Sequence, residues 1–364
     1  MSDHVTVRTM EVRKDNWADT QVVSEAIEQE PGDGEVLLKV DRLALTANNI
    51  SYASAGDALG YWKFFPASDG WGRIPAMGWG EVIASTHPGI ETGERVWGWF
   101  PISTHLRIRA GNVSTRQFCD VSDHRDGLAP VYAQFDRAST NPIYDSSRED
   151  QDSLLRGLFM TSWLVEDFLH SNDAFAAARC LMTSASSKTA IALAHCIRVR
   201  GTPEAVGITS ARNADFCKSL GYYDEVITYD ELDSLDADSA VVLVDMAGSA
   251  PLLSDLHHHY GDNMKYSCRI GATHYDQLGS TEGMPGVRPE FFFAPAHVKK
   301  RSAELGPAEL MKRMGTEFVK FRSLSDNWLR VADNRGEDAV VAAYEAVLSG
   351  QADPAVGQIV SMWP

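Results

Sequence analysis

Residues 240–245 read Ala-Val-Val-Leu-Val-Asp, an unbroken apolar run that closes on a carboxylate. A strand of that kind is covered on both faces, and such strands belong to parallel sheets. The surrounding chain agrees. Residues 180–183, 205–209, 225–228 and 265–271 are short strand-like runs. Helical stretches stand between them at 187–199, 213–220 and 251–260, the second stopped by Gly221, and a longer one at 153–169 precedes them all. Strands alternating with helices predict a parallel, doubly wound α/β sheet.

The first 150 residues have a different rhythm. Runs at 34–40, 81–85, 95–100 and 105–109 are strand-like and divided by glycine and proline at short intervals. That pattern predicts an antiparallel barrel. After a helix at 337–348, the stretch 357–362 is strand-like again and is expected to return to the first domain. A chain of 364 residues is too long for one small core. The expected division is 1–152 with 322–364 for the barrel domain, and 153–321 for the α/β domain.

Net charge is −17, which disfavours nucleic acid and anionic membranes as partners. The N-terminal stretch has no apolar core of a secretory signal, and no apolar run approaches the roughly 20 residues of a membrane span. The nearest two of the five cysteines, Cys180 and Cys196, lie 16 positions apart, so neither a zinc ribbon nor a disulfide framework is expected. A reducing cytoplasm fits.

The order of segments resembles the medium-chain dehydrogenase/reductases, in their zinc-independent quinone reductase-like branch. Leu45-Thr46-Ala47-Asn48-Asn49, with Gly56 beyond, is similar to that branch's first-domain signature; Gly93-Glu94-Arg95-Val96 is similar to its Gly-Asp-Arg-Val turn. Phe159-Met160-Thr161-Ser162-Trp163 resembles the helix entering its nucleotide domain, Leu220 to Tyr229 its Leu-Gly-Ala-Asp segment, and Gly357-Gln358-Ile359-Val360 its closing motif. The resemblance implies a GroES-like β-barrel catalytic domain and a Rossmann-type nucleotide domain. It places Asn48 and Thr161 near a nicotinamide, and Gly271-Ala272-Thr273 beside its ribose. It also implies a homodimer paired through the edge of the nucleotide domain, around residues 265–271 and 291–293. Two departures stand out. Ser51 replaces the usual aspartate, and the turn between Thr183 and Thr189 has no glycine.

Phosphate at such a turn is held by backbone N–H groups and the positive end of the helix dipole, neither of which needs glycine as such. Glycine eases φ > 0 and close approach, which other residues resist at roughly 1–2 kcal/mol per position. Ser184, Ala185, Ser186, Ser187 and Thr189 are small or carry hydroxyls, and Lys188 adds a charge. The stretch is therefore expected to cradle a diphosphate; serines that only cap the next helix are the alternative. A P-loop is excluded, since Ser187-Lys188-Thr189 follows no glycine-bounded loop.

The segment after the second strand, Thr209-Ser210-Ala211-Arg212, has no carboxylate for a ribose 2′-hydroxyl, whereas Arg212 suits a 2′-phosphate. The expected cofactor is NADP(H), with Ser210 and Tyr229 assisting as the resemblance implies. Asp245 closes its strand near the expected cofactor edge, where a capping role is the simpler one. Residues 45–60 contain neither Cys nor His, so no catalytic metal is expected. Asn48 and Tyr52 are then the candidates to polarise a substrate oxygen, against a turn cap and a packed ring. The aromatic run from Tyr61 to Trp79, with Trp97 and Trp99, lines either an apolar substrate pocket or the barrel core. His257-His258-His259 cannot converge on one ion from a helix and is expected at a solvated helix end. These readings point to a metal-free NADPH-dependent reductase of an apolar or aromatic carbonyl compound, acting on an activated C=C or C=O. The alternatives are a zinc-free alcohol or aldehyde dehydrogenase and a non-catalytic nucleotide-binding scaffold.

Overall fold

The computed structural model describes residues 4–270 and 283–364. The chain forms two compact units, one running up to Leu154 and resuming over Leu329–Pro364, the other Leu155–Trp328.

The first unit opens with a hairpin of β1 (His4–Arg13) and β2 (Thr20–Glu28). Then follow β3 (Glu35–Leu45), α1 (Ala47–Ser54), β4 (Trp71–Gly72), β5 (Pro75–Ser85), β6 (Arg95–Pro101), β7 (His105–Gly111), β8 (Gln117–Asp120) and β9 (Gln134–Arg137). Strands β3, β5, β6, β9, β8 and β7 pair antiparallel in that order, and β7 returns to β3, closing a six-stranded barrel. Closure leaves no open edge among the six. Phe100, Phe118 and Phe135 pack together inside it, essentially without solvent exposure, while Trp79 is buried on the opposite face of β5 against Tyr144. Glycine at position 78 is a packing requirement, because a Cβ there would lie 2.0 Å from the Arg42 carbonyl oxygen.

The second unit contains most of α2 (Glu149–Ser171), then β10 (Arg179–Thr183), α3 (Lys188–Arg200), β11 (Glu204–Thr209), α4 (Ala211–Leu220), β12 (Glu225–Thr228), β13 (Val241–Asp245), α5 (Ala250–Tyr260), β14 (Met264–Arg269), β15 (Glu290–Phe291), α6 (Ala294–Leu305) and α7 (Pro307–Leu324). Among the described residues its six strands are all parallel, in the order β12-β11-β10-β13-β14-β15. Every residue of β13 is buried, as its composition requires. Strand order reverses between β10 and β13, which makes their carboxyl ends the topological switch point where ligands of such sheets bind.

The chain then returns to the first unit as β16 (Arg330–Arg335), α8 (Glu337–Leu348) and β17 (Val356–Ser361). β17 pairs antiparallel with the end of β3 and parallel with β16. The closing strand thus pairs with the barrel strand β3. The histidine run departs from expectation. His257 is fully buried, with Nδ1 3.0 Å from the Pro285 carbonyl and Nε2 2.9 Å from Ser267 Oγ. His259 Nε2 reaches the Leu235 carbonyl, and only His258 is exposed. Because α5 packs its last turn against the sheet, two of the three imidazoles face inward.

Candidate functional site

In the second unit the site builds from the turn between β10 and α3. Ser184 adopts φ 51°, the left-handed conformation that glycine would otherwise supply. The turn is pinned from several sides. Ala185 N–H donates to Ile208 O at 3.1 Å, and Tyr223 Oη donates to Ala185 O at 2.6 Å. Asn213 Nδ2 donates to Ser186 Oγ at 3.0 Å. Tyr229 stands within hydrogen-bonding reach of Ser184, and burial pushes its phenol pKa up. Ala185 is fully buried, so its methyl belongs to the core rather than to a ligand face.

The missing glycine reappears one strand over. A Cβ at Gly207 on β11 would lie 2.9 Å from both Ala185 Cβ and the Tyr223 ring. The bare Cα at 207 provides the room that a glycine in the turn would have provided.

Helix α3 starts at Lys188, and Ser187 is its N-cap, accepting from Ala190 N–H at 3.2 Å. The capping alternative is thus met by Ser187. Its hydroxyl is used inside the turn, while the helix presents its positive end and Lys188 there. Thr189 is buried, and its carbonyl accepts from Ser162 Oγ on α2 at 2.7 Å. Thr161, half-buried on α2, donates to Gly157 O within its own helix. On the far side of β11, Ser210 precedes α4 and Arg212 stands exposed in that helix's first turn.

At the switch point, Thr183 and Asp245 close the ends of β10 and β13. Thr183 Oγ1 donates to Asp245 Oδ1 at 2.7 Å and accepts from the Met246 and Ala247 amides. Asp245 Oδ1 also takes the N–H groups of Ala247 and Gly248. Asp245 is 1% exposed, and burial raises its pKa against those hydrogen bonds. So Asp245 does cap the following turn. Gly271 and Thr273 lie outside the described residues.

A cavity of about 410 Å³ opens elsewhere in this unit, lined by Trp163, Glu166, Cys196, Arg200, Lys312 and Glu317. It meets the C-terminal end of α3, away from the switch point between β10 and β13.

In the barrel unit, Asn48 and Tyr52 sit four residues apart on α1 and therefore share a face. The Asn48 amide is within reach of the Tyr52 hydroxyl, whose pKa burial raises. The neighbouring Asn49 holds the helix start, accepting from Thr46 N–H at 2.7 Å and donating to Pro75 O at 2.9 Å. Tyr61, from the aromatic run, and Tyr132, which the sequence reading did not single out, complete this cluster. The Tyr52 ring is 4.9 Å from Tyr61, and Tyr61 is 5.8 Å from Tyr132, with which it exchanges a hydroxyl contact. Trp99 packs on Tyr52 at 5.2 Å and on Tyr132 at 5.4 Å. Burial raises all three phenols, so they remain hydrogen-bond donors at neutral pH. Tyr61 belongs to an aromatic run that the sequence displays openly; Tyr132 sits in a single turn with no such signal. The run itself divides, with Phe64 and Trp79 in the core and Trp71 half-exposed under Arg13. Gly56 and Gly72 flank Trp62, whose indole a Cβ at either position would strike, at 2.1 and 2.5 Å.

The model of one protein family, described as "Protein of unknown function (DUF2855)", matches residues 43–353. No curated protein matches the sequence. Among solved structures, CurA from Vibrio vulnificus shares 13% identity at a TM-score of 0.62, over 98% of this chain and 99% of its own; it has also been solved with NADPH. The yhdH oxidoreductase from Salmonella enterica, in complex with NADP, has 13% identity and a TM-score of 0.54 over the same shares. A mutant enoyl thioester reductase from Candida tropicalis has 11% identity and a TM-score of 0.56, covering 98% of this chain and 100% of its own. At such identities the likeness is one of fold, and it extends over the whole chain: a GroES-like barrel joined in sequence to a Rossmann-type sheet.

Proposed function

We propose that this chain, which belongs to the DUF2855 family, is an NADPH-dependent, metal-free oxidoreductase of an apolar or aromatic carbonyl compound of enone or quinone type. The observation that carries the reading is the switch-point turn. A left-handed Ser184 leads into the capped N-terminus of a 13-residue helix, at the crevice where parallel sheets take dinucleotides. The NADP(H) complexes of CurA and yhdH, proteins of the same fold, support it.

Bound there, a dihydronicotinamide supplies a hydride. The protein's own groups hold and orient. The α3 N-terminus, Ser186 and Lys188 face the diphosphate, and Arg212 with Ser210 takes the 2′-phosphate. In the barrel unit Tyr52, oriented by Asn48, donates a hydrogen bond to the substrate oxygen. The Tyr61–Tyr132 pair holds a second hydroxyl proton close by. Polarising that oxygen draws electron density from the carbon that receives hydride. The soluble homodimer and cytoplasmic setting expected from sequence complete the proposal.

NADPH fluorescence on mixing is the decisive measurement. Enhancement with NADPH, weaker with NADH and lost for the phosphate form in Arg212→Ala, is expected. No binding of either nicotinamide would leave the scaffold reading. NADPH oxidation with enones and quinones, against a panel of aldehydes, separates reductase from dehydrogenase.

A further inference from the structure

At the carboxyl ends of β13 and β14, Asp245 and Arg269 are register partners on adjacent parallel strands. The Arg269 charge is near enough to favour the Asp245 carboxylate, but the two side chains make no hydrogen bond or salt bridge with each other. Asp245 gives one oxygen to three donors, and its other oxygen, Oδ2, is buried with no hydrogen-bond partner among the described residues. Arg269 is half-buried and its guanidinium makes neither hydrogen bond nor salt bridge among the described residues. In a chain with 50 acidic and 33 basic side chains, a partly buried arginine with no hydrogen-bonded carboxylate is out of pattern. Arg116, Arg198 and Arg288, which also lack ion pairs, are exposed and solvated.

Two neighbouring polar groups are thus incomplete at the edge where this sheet type takes ligands. β14 lies two strands from β10, about 10 Å at the usual strand spacing, so a diphosphate at the α3 N-terminus would be out of reach of Arg269. We infer that Arg269 receives the carboxylate of the substrate, and that a hydrogen-bonding group beside that carboxylate meets Asp245 Oδ2. The substrate class is therefore an acid: a carbonyl compound that carries a carboxylate. This rests on the reductase reading for the word substrate, but the binding site stands on Arg269 and Asp245 alone.

The test uses 3-benzoylpropionate, an aromatic keto acid, against its methyl ester, titrated without a nicotinamide into the full chain with intrinsic tryptophan fluorescence and thermal shift as readouts. The acid is expected to bind at least about tenfold tighter than the ester, the scale of a charge-assisted hydrogen bond. Arg269→Gln abolishes that preference, Arg269→Lys keeps part of it, and Arg212→Ala leaves it intact. Equal affinity for acid and ester overturns the inference. So does an Arg269→Gln chain that keeps the preference, or one that instead loses NADPH. Failure of NADPH binding in the wild type, with the acid preference present and Arg269-dependent, removes the reductase reading and leaves this one.

Discussion

Ala185 and Gly207 exchange roles across two strands, and their coupling can be measured. Gly207→Ala places a methyl 2.9 Å from Ala185 Cβ and from Tyr223. Overpacking of that kind costs about 1–3 kcal/mol, and here it also displaces the turn, so chemical denaturation is expected to show that loss with weakened NADPH binding. Ala185→Gly in the same chain moves the small residue to the turn and is expected to restore most of both. A double variant no better than the single would show that the two positions do not share one space. In the barrel unit, Tyr52→Phe and Tyr61→Phe keep the rings and remove single hydroxyls. If these phenols polarise the substrate, each lowers turnover about 10²-fold without altering the dissociation constant for NADPH. A loss of NADPH affinity in either variant would contradict the assignment.

Helices α2 and α6 are tied through one buried carboxylate. His297 Nε2 is 3.0 Å from Asp167 Oδ2, and Arg301 Nη2 donates to Oδ1 at 3.1 Å. Burial pushes the Asp167 pKa up, but its two cationic or donor partners bring it below the ordinary carboxylate value. A carboxylate depressed in this way adds stability that is complete above about pH 4, its unfolded value, and is lost as pH falls through the lower folded one. Asp167→Asn is expected to cost about 3 kcal/mol at pH 7, and the gap to wild type to close at pH 2–3 in urea titrations. Ser187→Ala, removing the α3 cap, is expected to cost about 1 kcal/mol. At this scale the sequence was readable wherever burial is two-sided. The run 240–245 announces β13 because every position in it is apolar, and Gly221 announces the end of α4 because its φ is 66°. Helices α6 and α7 escaped notice, since their buried residues are spaced among lysines, arginines and glutamates. The turn itself was legible in chemistry but not in mechanism. Nothing local to 184–189 reveals that the space it needs is supplied by Gly207, or that Tyr223 and Asn213 fasten it, because those contacts are made only in three dimensions. Arg269 was invisible for the same reason: an arginine draws notice only when its lack of partners can be seen.

Across the whole molecule, His105, His195 and His257 are buried, and burial depresses each imidazole's pKa. Below about pH 6.5 the unfolded chain therefore binds protons that the folded one refuses, so stability rises with pH through that window and levels off above it. Denaturation midpoints at pH 5, 6 and 7 check the trend, and His195→Phe is expected to flatten it by up to about 1.4 kcal/mol per pH unit. A flat profile would mean that these imidazoles titrate normally. The order in which the polypeptide is made adds a further consequence. The α/β unit is one continuous segment, while the barrel unit needs β17, whose partner residues on β3 are Leu43–Leu45. Everything the α/β unit requires is translated before Leu329, yet residues 43–45 of β3 wait for β17 to pair with them. Chains truncated at residue 340 and held clear of the ribosome by a flexible C-terminal linker are accordingly expected to protect the α/β segment from protease while the N-terminal third is still digested.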